Sequence, residues 1–95
     1  MVQDQALAGI RVVDISGSVS TGFCAKVFAD YGADVINLEP EGGFRTRNLA
    51  PLIGGTAPNA SAMHAWLSTN KKSVRADAIG PAQCATIIGE ADLLL

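Results

Sequence analysis

Residues 10–39 read IRVVDISGSVSTGFCAKVFADYGADVINLE, and this stretch decides the fold. Residues 10–15 are a short β-branched run, and the small, polar, glycine-bearing segment from Ser16 to Gly22 predicts a strand entering a loop. From Phe23 the apolar positions Phe23, Val27, Phe28 and Tyr31 recur at helical spacing, and Gly32 stands where a left-handed residue ends a helix. A helix of about ten residues is expected there. Residues 34–39, DVINLE, give a second strand and close a βαβ unit, whose crossover should be right-handed.

The alternation continues outward. Pro40, Gly42, Gly43, Pro51, Gly54, Gly55 and Pro58 make residues 40–59 a long loop, and a loop of that length in a compact domain is more often functional than idle. Asn59 is the expected cap of a second helix over residues 60–68, with Met63, Trp66 and Leu67 facing inward. After the polar turn 69–72, residues 73–76 (SVRA) predict a third strand. Pro81 suits the first position of a third helix, with Cys84, Ile87 and Ile88 on its apolar side and Gly89 near its end. Residues 92–95 read as a fourth strand, apolar enough to be buried on both faces. The expected class is therefore α/β: a Rossmann-like parallel sheet, a βαβαβαβ portion of a larger domain cut at its fourth strand. Residues 1–95 are expected to be the opening segment of that domain.

Composition narrows the function classes. Of 95 residues 48% are hydrophobic and only 17% charged, below the usual ~25% for a soluble domain. Surplus apolar residues imply burial against more protein, either a longer chain or a second subunit. A net charge of −2 argues against nucleic acid, which needs a clustered basic face. No basic leader with a long apolar core begins the chain, and no apolar run approaches the ~20 residues of a membrane span, so a cytoplasmic protein without a membrane partner is expected. Cys24 and Cys84 lack metal or redox spacing and read as buried small hydrophobes.

In a parallel sheet the loops after each strand gather at one edge, and ligands bind there. Gly17 and Gly22 are spaced GxxxxG, so a dinucleotide turn is not reproduced. Glu39 is placed like the acid that binds a ribose hydroxyl; a solvated or helix-capping carboxylate is the other reading. Arg45 and Arg47 follow Gly42-Gly43, which let backbone approach a phosphate or carboxylate closely. Their alternative is a pair of solvated loop charges, and Lys71-Lys72 read as turn residues. His64 lacks a paired carboxylate or serine in a recognisable frame and is assigned a packing or surface role. No metal-ligand spacing is present.

The order of five segments carries more than any one of them. LAGIRVVD at 7–14, GADVINLEP at 32–40, Gly42-Gly43 with Thr46-Arg47, NKKSV at 70–74 and EADLL at 90–94 together resemble the start of the family III CoA-transferases. That CaiB/BaiF-type family includes formyl-CoA and carnitine-CoA transferases and α-methylacyl-CoA racemases. The resemblance implies a Rossmann-like large domain, an interlocked homodimer, and coenzyme A as acyl carrier, with acyl-CoA thioesters as substrates. It places coenzyme contacts at Val19 and Ser20, at Pro40, and at Ala76, Asp77, Ala78 and Ile79; the reading of the long loop adds Arg47 as a phosphate contact. It places the catalytic carboxylates and histidine beyond residue 95, so no catalytic residue is expected here and His64 matches none. Two departures stand out: Thr21-Gly22 where the family usually has Gly-Pro, and Asn37 where it commonly has lysine. A non-catalytic nucleotide-binding or interaction module of the same fold is the alternative.

Overall fold

The computed structural model describes residues 5–54 and 60–95. Its elements follow the chain as β1 (Arg11–Asp14), α1 (Val19–Asp30), β2 (Asp34–Glu39), a single 3₁₀ turn (Arg45–Asn48), α2 (Ala62–Leu67), β3 (Lys72–Arg75), α3 (Ala76–Gly89) and β4 (Leu93–Leu94). The four strands pair in parallel throughout, in the order β3-β2-β1-β4. The α/β parallel sheet expected from the alternation is thus the one formed. The chain steps outward from β1 to β3 and then returns to the other side of β1. Right-handed crossovers accordingly place α1 and α2 over one face and α3 over the other.

Local chemistry sets the element ends. Ser18 caps α1, its hydroxyl oxygen accepting from the Thr21 N–H at 3.2 Å. The helix therefore begins four residues before the expected Phe23, which moves Val19 and Ser20 from a loop into a first helical turn. At the other end Tyr31 is the C-cap and Gly32, at φ 102°, turns the chain into β2 as the sequence predicts. In the second helix Ser61 is the cap, its hydroxyl accepting from the His64 N–H at 3.1 Å; Asn59 lies outside the described residues. β3 is displaced by one residue from 73–76. Gly80, at φ 83° and ψ 166°, breaks α3 before Pro81, so residues 76–79 form a separate helical turn directly after β3.

The core corrects the expected faces. Val12 and Val35 of the sheet meet Ala25 and Ala29 of α1, with Ala33 beside them and Leu7, Phe28, Leu93 and Leu95 around the rim. The buried stripe of α1 is Gly22, Ala25 and Ala29, whereas Phe23 is 50% and Tyr31 59% exposed. Both stripes have helical spacing. Only small residues let the helix axis lie close to the sheet, so volume chose between them. Likewise α2 buries His64 and Leu67 while Met63 and Trp66 face outward, and Cys24 is exposed rather than buried. Phe23 and Trp66 stack on each other with ring centroids 5.9 Å apart, and the Lys26 ammonium lies 4.8 Å from the Trp66 ring. On α3 the part-buried positions include Cys84, Ile87 and Ile88, as expected. β4 departs from the reading of a strand buried on both faces: in this chain it is an edge strand, and Leu94 is 46% exposed.

Gly17 fixes how closely the first loop meets the long one. It sits at φ 68°, and a Cβ there would lie 2.5 Å from the ring of buried Phe44. Gly17→Ala is expected to destabilise the fold by about 2 kcal/mol or more, from left-handed strain plus displacement of that ring. Urea unfolding of the two proteins measures the difference; equal midpoints would show that the Phe44 contact is not made.

Candidate functional site

The carboxyl ends of β1, β2 and β3 present Asp14, Glu39 and Arg75 along one edge of the sheet. Strand alternation puts Val12 and Asp14, then Val35, Asn37 and Glu39, on the face covered by α1 and α2. That face is apolar toward its amino end and polar toward its carboxyl end. The change of character lies between one strand residue and the next but one, and it separates the core from the site.

Asp14 is 1% exposed and closes the first loop. Its Oδ1 accepts from the backbone N–H groups of Ser16 at 2.9 Å and Gly17 at 3.3 Å and from the Thr21 hydroxyl at 3.4 Å. Glu39, 0% exposed, organises the long loop. Oε1 accepts from the Phe44 N–H at 2.8 Å and from Arg47 Nε at 2.7 Å, while Oε2 accepts from Arg47 Nη2 at 2.6 Å and from the Ser73 hydroxyl. Burial alone would raise this carboxyl, but the hydrogen bonds from Arg47, Ser73 and Phe44 outweigh it and hold the group at about 2. Glu39 is thus the loop's internal anchor, and its lone pairs point into the protein rather than toward a ribose.

A second layer ties α2 to the same loop. His64 Nδ1 lies 2.7 Å from the Thr46 hydroxyl and Nε2 3.3 Å from the Ser68 hydroxyl. Burial and then the positive charge of Arg47 push the imidazole below its ordinary value, outweighing the opposing charge of Glu39. This is the packing role expected of it. Asn37 Nδ2 donates to Ser68 Oγ at 3.4 Å, whereas its Oδ1 has no hydrogen-bond partner among the described residues. Lys71 is half-buried instead of a free turn residue: its ammonium donates to the Gly22 carbonyl at 2.9 Å, and burial lowers its pKa.

Two clefts open on this edge. One lies between the first loop and the 3₁₀ turn and is lined by Gly17, Ser18, Val19, Arg45, Thr46 and Leu49. The other is lined by Glu39, Gly42, Gly43, Arg47 and Arg75. At about 270 Å³ it falls just below the ~300–1,000 Å³ of pockets that enclose a whole small ligand, so it suits one end of a larger molecule. Of the residues singled out in the sequence, Val19 and Arg45 line the first cleft and Glu39 and Arg47 the second. Ser20, Pro40, Asp77 and Ala78 are exposed close by on α1, after β2 and on the first turn of α3, with Ala76 and Ile79 part-buried in that turn. Arg75 was missed, being read as mid-strand; its place two residues beyond Ser73 at the strand's carboxyl end was the available signal. Among the described residues no group of three or more His, Cys, Asp or Glu is placed to hold a metal ion, and no helix is long and apolar enough to cross a membrane.

Comparison with known proteins adds identity to this geometry. The sequence model of CoA-transferase family III matches residues 7–95. The succinate–glutarate CoA-transferase of Agrobacterium fabrum is 36% identical over 85 residues, covering 85% of this chain and 21% of that protein. The alpha subunit of succinyl-CoA–L-malate CoA-transferase from Chloroflexus aurantiacus is 32% identical over 95 residues, covering 94% and 21%. The crystal structure of a CaiB/BaiF family protein from Brucella suis superposes with a TM-score of 0.78 at 26% identity, over 97% of this chain and 25% of that one. The chain spans about a fifth of the length of these curated relatives.

The buried Glu39 carboxylate makes stability depend on pH in a defined direction. Its folded pKa, about 2, lies below the ordinary 4.5, so its contribution is complete above pH 4.5 and is lost as pH falls toward 2. Glu39→Gln is expected to cost about 3 kcal/mol at pH 7, with the gap to the parent protein narrowing below pH 4.5. Urea unfolding at pH 7, 4 and 2.5 tests this, and a gap that stays constant with pH would remove the ionised carboxylate from its anchoring role.

Proposed function

We propose, since this chain belongs to CoA-transferase family III, that it forms the coenzyme A-binding, amino-terminal segment of a Rossmann-like domain in an enzyme acting on acyl-CoA thioesters. The observation that carries this is the coincidence of the family match over residues 7–95 with clefts at the carboxyl edge of a parallel sheet, where such sheets take their ligands. In this reading Val19 and Ser20, in the first turn of α1, and Ala76, Asp77, Ala78 and Ile79, in the first turn of α3, hold the adenosine end, with Pro40 and Arg47 between them. Coenzyme A is the acyl carrier and substrate, and backbone groups and shape supply most of the binding.

The chain's part is binding rather than bond-making. Asp14 and Glu39 are buried and accept hydrogen bonds from their own loops, and His64 is held between two hydroxyls. None is free to act as a nucleophile. The acyl transfer is therefore assigned to carboxylates outside these residues. The relatives named above are CoA-transferases, which supports transfer over racemisation. The exposed Phe23, Val27, Tyr31 and Trp66 on α1 and α2 support a face covered by more protein, as the interlocked homodimer would provide.

Calorimetric titration with free coenzyme A tests the map. Ser20→Trp and Ala78→Trp are each expected to weaken binding at least about tenfold by filling the space beside the two clefts, a loss of roughly 1.4 kcal/mol. Thr86→Ala, on the exposed side of α3, should leave affinity unchanged. Binding that survives both tryptophans would move the coenzyme elsewhere.

A further inference from the structure

The second cleft holds two guanidinium groups, and their commitments differ. Arg47 donates through Nε and Nη2 to both oxygens of Glu39, and Nη2 also reaches Ser73 Oγ at 3.4 Å. Its partner carboxylate is fully buried, so pulling Arg47 toward a ligand would strand a buried charge. Arg47 is a positioning residue, with its charge already cancelled.

Arg75 stands opposite Glu39 in the ladder and lines the same cleft. Among the described residues its ion pair is with Asp77, two residues along the chain, at 3.1 Å from Nε to Oδ1 and 2.5 Å from Nη2 to Oδ2. The two side chains are 57% and 36% exposed. An exposed pair is close to balanced against water, so it can exchange partners without leaving a buried charge behind. Gly42 and Gly43 line the cleft without side chains. A phosphate dianion presents a guanidinium with more charge than the Asp77 carboxylate and an equally suitable pair of oxygens.

We propose that Arg75, rather than Arg47, is the residue that reads the phosphate carried on the ribose of coenzyme A, exchanging Asp77 for it. The assignment rests on the coenzyme A reading above and adds a specificity to it: the protein distinguishes coenzyme A from the same molecule lacking its 3′-phosphate.

Calorimetry with coenzyme A and with 3′-dephospho-coenzyme A, on the parent protein and on Arg75→Gln, Arg75→Lys and Asp77→Asn, separates the two levels. The parent is expected to prefer coenzyme A by about tenfold or more, the size of a charge-assisted contact. Arg75→Gln should bring the ratio close to one by weakening coenzyme A alone. Arg75→Lys should restore part of the preference, and Asp77→Asn should widen it. A ratio unchanged in Arg75→Gln, or both ligands weakened equally, would overturn the role of Arg75 while leaving the coenzyme site standing. Failure of the parent to bind either ligand would overturn the coenzyme reading and this assignment with it.

Discussion

Glu39 is fully buried at the end of β2, and its carboxylate is the point from which the site edge is organised. A buried carboxylate must be paired and hydrogen-bonded to remain charged, and here the partners come from three places in the chain: Arg47 and the Phe44 N–H in the long loop, and Ser73 in the neighbouring strand. Satisfying one side chain thereby folds the Pro40 segment back onto the sheet and pins the 3₁₀ turn. With the turn in place, Thr46 reaches His64, and α2 is joined to the same layer.

That arrangement explains why the face under α1 and α2 is divided. Near the amino ends of the strands, valine and alanine exclude water and supply the non-directional part of stability. Near the carboxyl ends, Asp14, Asn37 and Glu39 use directional bonds to hold loops in fixed positions. A loop held this way can shape a cleft without a helix of its own. The two arginines show the consequence. One is consumed in building the wall, and the other, two residues past Ser73 on an edge strand, faces solvent with an exchangeable partner.

Much of this was legible in the sequence because it rests on local signals. The βαβ unit followed from the β-branched runs and Gly32, the start of the longer part of α3 from Pro81, and the loop clustering from alternation alone. The family resemblance named from five short segments agreed with the later match over residues 7–95. The buried face of α1 and most of that of α2 were not legible, whereas the apolar side of α3 was. Gly22, Ala25 and Ala29 repeat at the same period as Phe23, Val27 and Tyr31, and hydrophobicity favours the wrong set. Helix starts were also displaced, since the hydroxyls of Ser18 and Ser61 accept from the N–H groups three residues on and set where α1 and α2 begin.

The sequence by itself therefore determined the order and type of the elements, because strand and helix periods and their glycine and proline punctuation are properties of neighbouring residues. Which arginine is locked and which is free, and that Glu39 faces inward, were decided only by the tertiary structure. Glu39, Arg47 and Ser73 lie 8 and 26 residues apart along the chain, and their pairing exists only once parallel register sets β3 beside β2. Closeness created by strand register has no trace in local sequence, and the burial that makes the pairing obligatory arises only when the loop has closed over it.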